Sequence, residues 1–344
     1  MDIQTAIASV ASGESLTVDA MNSVMLAVMQ GEATEAQIGG LLVGLRMKGE
    51  TIDEVVGAAT AMRSLATPVN IDRTGLIDMC GTGGDGANLF NVSTAATFVV
   101  AAAGGRIAKH GNRSVSSSSG SSDVLAALGV NLEITPDQIA QCIDEIGVGF
   151  MFAPAHHSAM KHAIGPRREL AMRTIFNILG PLTNPAGAKR QVLGVFDKSL
   201  CEPLASALHE LGSEHVMVVH GNDGLDELSV ASTSHVCEMK DGELKSYEVD
   251  PTDFGLRVNS LSGLSVDNAE QSASLIRNAL GGEKSETADD ARAIIAMNAG
   301  AGLYVGGRAD SLQAGIVLAA ATIESGKALA CLNNFANKTQ ELAG

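Results

Sequence analysis

The chain opens with apolar positions at helical spacing and no strand-like alternation. Ile38, Leu41, Leu42 and Leu45, and then Val55, Val56, Ala59 and Met62, recur three and four apart, so each set lines one helix face. A capping box precedes each set, Thr34-x-x-Gln37 and Thr51-x-x-Glu54, and Gly31 and Gly49 fall where helices end. Residues 1–68 are therefore expected to be helical throughout, closed by Pro68. The period changes near Leu76. From there short apolar runs alternate with helical stretches, the pattern of a parallel sheet with crossover helices. Leu76–Met79, Arg106–Ala108, Val148–Phe152 and Val216–Val219 read as strands. Between them lie a buried helix, Ala95–Ala103, a helix opened by the box Thr135-Pro136-Asp137-Gln138, and a helix from Ser199 to Leu211. Residues 228–249 read as antiparallel, with Asp241-Gly242 as the hairpin turn. The C-terminal part returns to alanine-rich helix, capped by Thr287-x-x-Asp290.

One stretch does not fit the alternation. Pro166 to Pro185 is first helical and then crowded with proline and glycine, so it is expected to leave the sheet and pack on the N-terminal helices, with a hinge beside the site. The predicted fold class is α/β in two parts. A small all-helical domain takes residues 1–68 with 165–188, and a larger α/β domain with a mostly parallel central sheet flanked by helices takes 69–164 with 189–344.

Composition narrows the chemistry. With 344 residues and a formal net charge of -16, the average surface repels nucleic acid and anionic lipid. A phosphate-bearing ligand would need local cations or a divalent metal, because a helix terminus contributes only about 0.3–1 kcal/mol. The five cysteines are scattered and never paired as C-x-x-C, which argues for a reducing compartment and against a disulfide or zinc framework. No apolar run reaches membrane-span length, and Met1-Asp2-Ile3-Gln4 lacks the basic start of a signal peptide, so a cytoplasmic location is expected.

The candidate chemistry centres on Cys80-Gly81-Thr82-Gly83-Gly84-Asp85-Gly86, between a strand and the helix start Asn91-Val92-Ser93-Thr94. Glycines let successive backbone N–H groups converge on one anion, and the helix N-terminus adds partial positive charge. The spacing matches neither the dinucleotide fingerprint nor the P-loop, and a plain tight turn is the simpler alternative. Lys109-His110-Gly111-Asn112-Arg113 adds two cations at a strand's C-terminal end, where open α/β sheets bind ligands. Ser114-Val115-Ser116-Ser117-Ser118-Ser119-Gly120-Ser121-Ser122 follows, able to wrap phosphate oxygens or simply to be a solvated loop. Asp226-Glu227, in a loop after another strand, suits Mg²⁺, a hard ion that bridges carboxylates to substrate phosphates. His156-His157 lacks a third ligand at zinc spacing. One of these imidazoles, and Arg167, could recognise a polar organic substrate, with an interdomain salt bridge the alternative for Arg167. Cys80 carries no mark of an activated thiol, and no nucleophile–base–acid set emerges.

Taken in order, these motifs resemble the anthranilate phosphoribosyltransferase family over nearly the whole chain. The resemblance implies transfer of a 5-phosphoribosyl group from phosphoribosyl pyrophosphate to anthranilate, in tryptophan biosynthesis, by a homodimer joined through its helical domains. It implies that Gly81, Gly84, Asp85, Asn91, Val92, Ser93, Thr94, Lys109, His110, Gly111, Asn112, Arg113, Ser114, Val115, Ser116, Ser117 and Ser121 hold the sugar diphosphate. It places Gly81, His110, Asn112, His157 and Arg167 along the anthranilate path, and Ser93, Asp226 and Glu227 on Mg²⁺, directly or through water. Leu89 stands where that family commonly has Thr or Ser, and Ser118 where it often has Lys or Arg. Two rival readings are a pyrimidine nucleoside phosphorylase-like transferase, which would carry a Lys-x-Ser motif at Lys109, and a non-catalytic nucleic-acid-binding relative, which would be basic.

Overall fold

The computed structural model describes residues 1–113 and 119–344. Four helices precede the first strand: α1 (Ile3–Ala11), α2 (Val18–Met29), α3 (Glu35–Lys48) and α4 (Ile52–Leu65). Asp2, Thr17, Thr34 and Thr51 each accept an N–H from the first turn of the helix they open, and the last two complete the expected capping boxes. Such caps are worth about 1 kcal/mol each. Gly49 ends α3 at φ 87, a conformation that L side chains avoid.

Among the described residues seven strands form one sheet: β1 (Leu76–Gly81), β2 (Arg106–Gly111), β3 (Val148–Phe152), β4 (Arg190–Gly194), β5 (His215–Gly221), β6 (Ser234–Lys240) and β7 (Glu243–Val249). The order is β3-β2-β1-β4-β5-β6-β7, with β1 to β5 parallel and the last two antiparallel. Asp241 (φ 53) and Gly242 (φ 80) make the expected hairpin turn. From β1 the chain builds outward on one side through β2 and β3, then returns to the other side for β4 and β5. The order reverses at β1 and β4, and such a switch point leaves a crevice at the strands' C-terminal ends.

Strand parity divides the interior. Along β5, Val216 and Val218 face one apolar cluster and Met217 and Val219 the other. The first cluster joins β4 and β5 to α1–α4 and to Ile175–Leu182, so the helical layer and one face of the sheet share a continuous core. The opposite face packs on α5 (Val92–Ala102) and the C-terminal helices. The stretch that broke the alternation does lie against the N-terminal helices, with helix Lys161–Leu170 packed on α2 and α3.

Three expectations are corrected. The C-terminal helix Glu286–Val305 is capped by Ser285, whose side chain accepts from Ala288, so Thr287 already lies inside the first turn. The stretch after Asp197 begins with a short 3-10 turn, and its α-helix runs from Cys201 to Glu210. Strand β2 runs through Gly111, so Lys109 and His110 lie within it rather than beyond it. Among the described residues no single helix is long and apolar enough to cross a membrane.

Candidate active site

Parallel register brings the ends of β1, β2, β4 and β5 to one edge, and the loops that leave them meet there. The loop after β5 reaches back across β4 to the glycine bend. Asp226 Oδ2 accepts the Gly83 N–H at 2.8 Å, and the Asp226 residue sits over Gly81 and Gly194 so closely that a methyl group on either would collide with it. Glycine is thus required at both strand ends for steric reasons. The bend itself turns through Gly83, Gly84 and Gly86 at φ 64, 78 and 76.

Asp226 and Glu227 are partly buried side by side. Burial, and then the nearby Asp85 carboxylate, push Asp226 up to about 7, while burial and Asp226 push Glu227 up to about 8. Glu227 Oε1 accepts the Ser93 N–H at 3.0 Å, at the start of α5. Three acids therefore crowd one end of the crevice. Lys109 lies beneath them, 2% exposed, its ammonium bonded to the Met79 carbonyl and to Ser93 Oγ, the latter at 3.3 Å. Burial lowers its pKa, opposed by the acidic groups around it, Asp78, Glu227 and Asp226 among them. Its charge thus works from below the floor rather than from an open surface.

Hard oxygen donors held together against their own repulsion fit a divalent ion such as Mg²⁺. Among the described residues no three His, Cys, Asp or Glu side chains converge as a closed cage. The donor set therefore suits an ion that completes its shell with water and phosphate oxygens. Thr94 Oγ1, buried in the first turn of α5, has no hydrogen-bond partner among the described residues and is available to a ligand.

Asn91 has a structural duty that its residue type did not reveal. Its Oδ1 accepts from Ser119 Oγ (2.9 Å) and Ser272 Oγ (2.8 Å), and its Nδ2 donates to the Ser119 carbonyl. It fixes one end of the serine loop to the start of α5. Ser121 Oγ donates to the Asn112 carbonyl at 3.4 Å and crowds Gly111, closing the loop's base. Ser114, Val115, Ser116, Ser117 and Ser118 lie outside the described residues. Arg113 is exposed, its guanidinium 5.7 Å from the Phe152 ring centre, and Val92 is buried at the start of α5.

The second half of the crevice is drier. The His110 and His157 rings lie 5.1 Å apart, each 6% exposed, and neither Nε2 has a partner among the described residues. Burial lowers His110 to about 3 and His157 to about 4, so both imidazoles are neutral. Carbonyl contacts with Gly180 and Thr183 take their other nitrogens, which leaves each Nε2 as an acceptor. Arg167 stacks 5.2 Å over Phe176, is depressed by burial, and has no carboxylate partner among the described residues. An unpaired, half-buried arginine fits a ligand carboxylate better than the salt bridge the sequence left open. His156 instead bonds the Thr67 carbonyl at 2.8 Å and is structural. Cys80 is buried, accepts from Gln191 at 3.1 Å and is pushed up by burial, in keeping with an inert thiol.

Sequence reasoning missed three contributors. Gly194 gives room to Asp226. Asn184 donates to Asp78 Oδ2 (2.8 Å) and the Ala108 carbonyl (2.9 Å), holding β1 and β2 in line below Lys109. Arg173 donates to the Gly84 carbonyl. The only signal for the last was its place in the irregular stretch.

Residues 4–66 match the glycosyl transferase family helical bundle domain and residues 73–329 the glycosyl transferase family a/b domain. The anthranilate phosphoribosyltransferase of Cellvibrio japonicus is 62% identical, covering 99% of this chain and 100% of that protein. The crystal structure of the Thermus thermophilus anthranilate phosphoribosyltransferase superposes with a TM-score of 0.90 at 42% identity, covering 97% and 99% of the two chains. The Saccharomyces cerevisiae enzyme in complex with phosphoribosyl pyrophosphate and Mg superposes with a TM-score of 0.88 at 26% identity, and its complex with 4-fluoroanthranilate with 0.87 at 25%, each covering 98% of both chains.

Proposed function

We infer how the site works from one premise: the chain belongs to the anthranilate phosphoribosyltransferase family. It joins the amine of anthranilate to C1 of phosphoribosyl pyrophosphate; a C–N bond forms, the C–O bond to pyrophosphate breaks, and the amine loses a proton. The observation that carries the site assignment is the acidic trio Asp85, Asp226 and Glu227 gathered over the glycine bend, with Asp226 and Glu227 raised to about 7 and 8.

In this reading the amides of Gly81 to Asp85 and the N-terminus of α5 hold the diphosphate, Thr94 offers its unpartnered hydroxyl, and Lys109 supplies charge from beneath. Asp226, Glu227 and Ser93 would hold Mg²⁺, which when bound neutralises the leaving pyrophosphate. Arg167 takes the anthranilate carboxylate, and the Nε2 acceptors of His110 and His157 orient the amine. With both imidazoles neutral and, at about 3 and about 4, weak bases, positioning and electrostatics do most of the catalysis. Orientation supplies roughly 7–11 kcal/mol, against about 3–5 kcal/mol for general acid–base help. The acidic surface and the absence of a Lys-x-Ser motif at Lys109 favour this reading over both rivals. A cytoplasmic homodimer is its expected form, and Met47, 83% exposed on α3, is consistent with contact through the helical layer.

Replacing Asp226 by Asn together with Glu227 by Gln tests the assignment. Turnover at low Mg²⁺ should fall far more than anthranilate affinity changes, and equal losses in both would contradict it.

A further inference from the structure

Arg173 belongs to none of the groups assigned to substrate above. It lies three residues past helix Lys161–Leu170, beyond Ala171, whose φ of 46 turns the chain back toward the crevice. The side chain is exposed, yet it is held at two points. Its Nη2 donates to the Gly84 carbonyl at 2.5 Å, and its guanidinium stacks 3.9 Å over the Phe196 ring. Phe196, in the loop after β4, donates its N–H to Thr82 Oγ1 at 3.1 Å. One arginine therefore links the segment leaving the helical layer, the β4 loop and the glycine bend.

The link has a geometric consequence. Three glycines in the left-handed region leave the bend with little intrinsic preference. In a planar trans peptide the carbonyl oxygen and the following N–H point in opposite directions. Fixing the Gly84 carbonyl toward Arg173 therefore fixes the Asp85 N–H on the opposite edge. We propose that Arg173 is a positioning residue for the sugar diphosphate: it sets the Gly84–Asp85 peptide so that its N–H, and with it the Asp85 carboxylate, are presented to the anion and its metal before substrate arrives. The fork of the guanidinium and its stack on Phe196 both matter, so positive charge alone is insufficient. The proposal rests on the glycine bend being the diphosphate cradle.

Full-length Arg173→Met and Arg173→Lys enzymes, compared with wild type in steady-state kinetics at saturating Mg²⁺, test it. Because the side chain is exposed, the thermal midpoint should stay within about two degrees. Arg173→Met should raise KM for phosphoribosyl pyrophosphate about tenfold while KM for anthranilate changes less than twofold, and Arg173→Lys should recover only a minor part of the loss. An unchanged KM for the diphosphate in Arg173→Met, equal rises for both substrates, or full recovery by lysine would overturn the proposal. Gly84→Val in parallel separates the two levels of inference. If it leaves diphosphate KM unchanged, the cradle reading itself fails; if it raises that KM while Arg173→Met does not, only the role of Arg173 fails.

Discussion

Replacing Gly194 by alanine should damage the site without touching any polar group. Asp226 lies directly over the end of β4, and a methyl carbon on Gly194 would sit inside its carbonyl, 2.5 Å from the Asp226 carbonyl carbon and 3.3 Å from its Cα. Its nearest neighbour would be the Asp226 carbonyl oxygen, at 1.5 Å, and carbon atoms rest about 3.5 Å apart, so the Asp226 backbone must retreat by at least about 1 Å. It has no room over β1, where the Asp226 carboxylate already abuts Gly81. Overpacking of this kind costs about 1–3 kcal/mol of stability, which a chain of this size survives. Misplacing a catalytic group by about 1 Å lowers rate by on the order of 10²-fold. The expected result is therefore a folded enzyme whose kcat/KM for phosphoribosyl pyrophosphate falls by about two orders of magnitude, with a raised Mg²⁺ requirement and near-normal anthranilate KM. Loss of anthranilate fluorescence at varied Mg²⁺ measures this, and urea unfolding checks the fold. Gly263→Ala is the control, since its added methyl meets only Thr287 Oγ1, at an ordinary 3.8 Å. Kinetics within threefold of wild type in Gly194→Ala would refute the claim that the β4 end sets the position of Asp226.

Arg167→Ala should raise anthranilate KM about 10- to 100-fold, the value of a charge-assisted bond of about 1.5–3 kcal/mol, and leave diphosphate KM nearly unchanged; comparable rises in both would remove Arg167 from the carboxylate. His110 and His157 are depressed to about 3 and about 4, below the ordinary value near 6.5, so the unfolded chain takes up protons first as pH falls. Their contribution to stability is present above pH 6.5 and declines below it, by up to about 1.4 kcal/mol per pH unit for each imidazole. Urea unfolding between pH 7 and 4.5 should therefore show a shallower slope in His110→Gln with His157→Gln than in wild type, and identical slopes would count against buried neutral imidazoles. Asn184→Leu removes the amide that donates to the Asp78 carboxylate and the Ala108 carbonyl and accepts the Ala186 N–H, leaving Asp78, among the described residues, only the His110 N–H and the Cys80 thiol. A loss of about 3 kcal/mol or more is expected from denaturant titration, and under about 1 kcal/mol would mean the network is dispensable.

What is legible in the sequence is local. Thr34, Thr51 and Thr135 announce their helices because a capping box is closed within four residues, and Asp241-Gly242 announces its hairpin for the same reason. Thr287 misleads because Ser285 offers the same hydroxyl two residues earlier and wins the cap. The chemistry of the site is legible as residue types, since clustered glycines, paired carboxylates and basic residues have few joint uses. Strand order is not legible, and it decides which loops become neighbours. Asp226 meets Gly81 and Gly83 only because β5 is one strand removed from β1, across β4. The pattern of β2 fades at Ala108, which makes Lys109 look like a surface cation; pairing with β3 extends the strand through Gly111 and takes the ammonium inside. Arg173 acts through the Gly84 carbonyl and Asn184 through the Ala108 carbonyl as well as Asp78, and a backbone partner leaves no trace in side-chain patterns.

Strand parity ties evolutionary tolerance to catalysis. At the end of β4, Leu193 and Val195 face the helical layer while Gly194, between them, faces the other way beneath Asp226. Deleting or inserting one residue in this strand would exchange those faces, burying glycine against the helices and driving a branched side chain into the acidic loop. Length changes in β4 should therefore be eliminated by selection in a single step, through folding and turnover together, whereas the hairpin at Asp241 has freedom to vary.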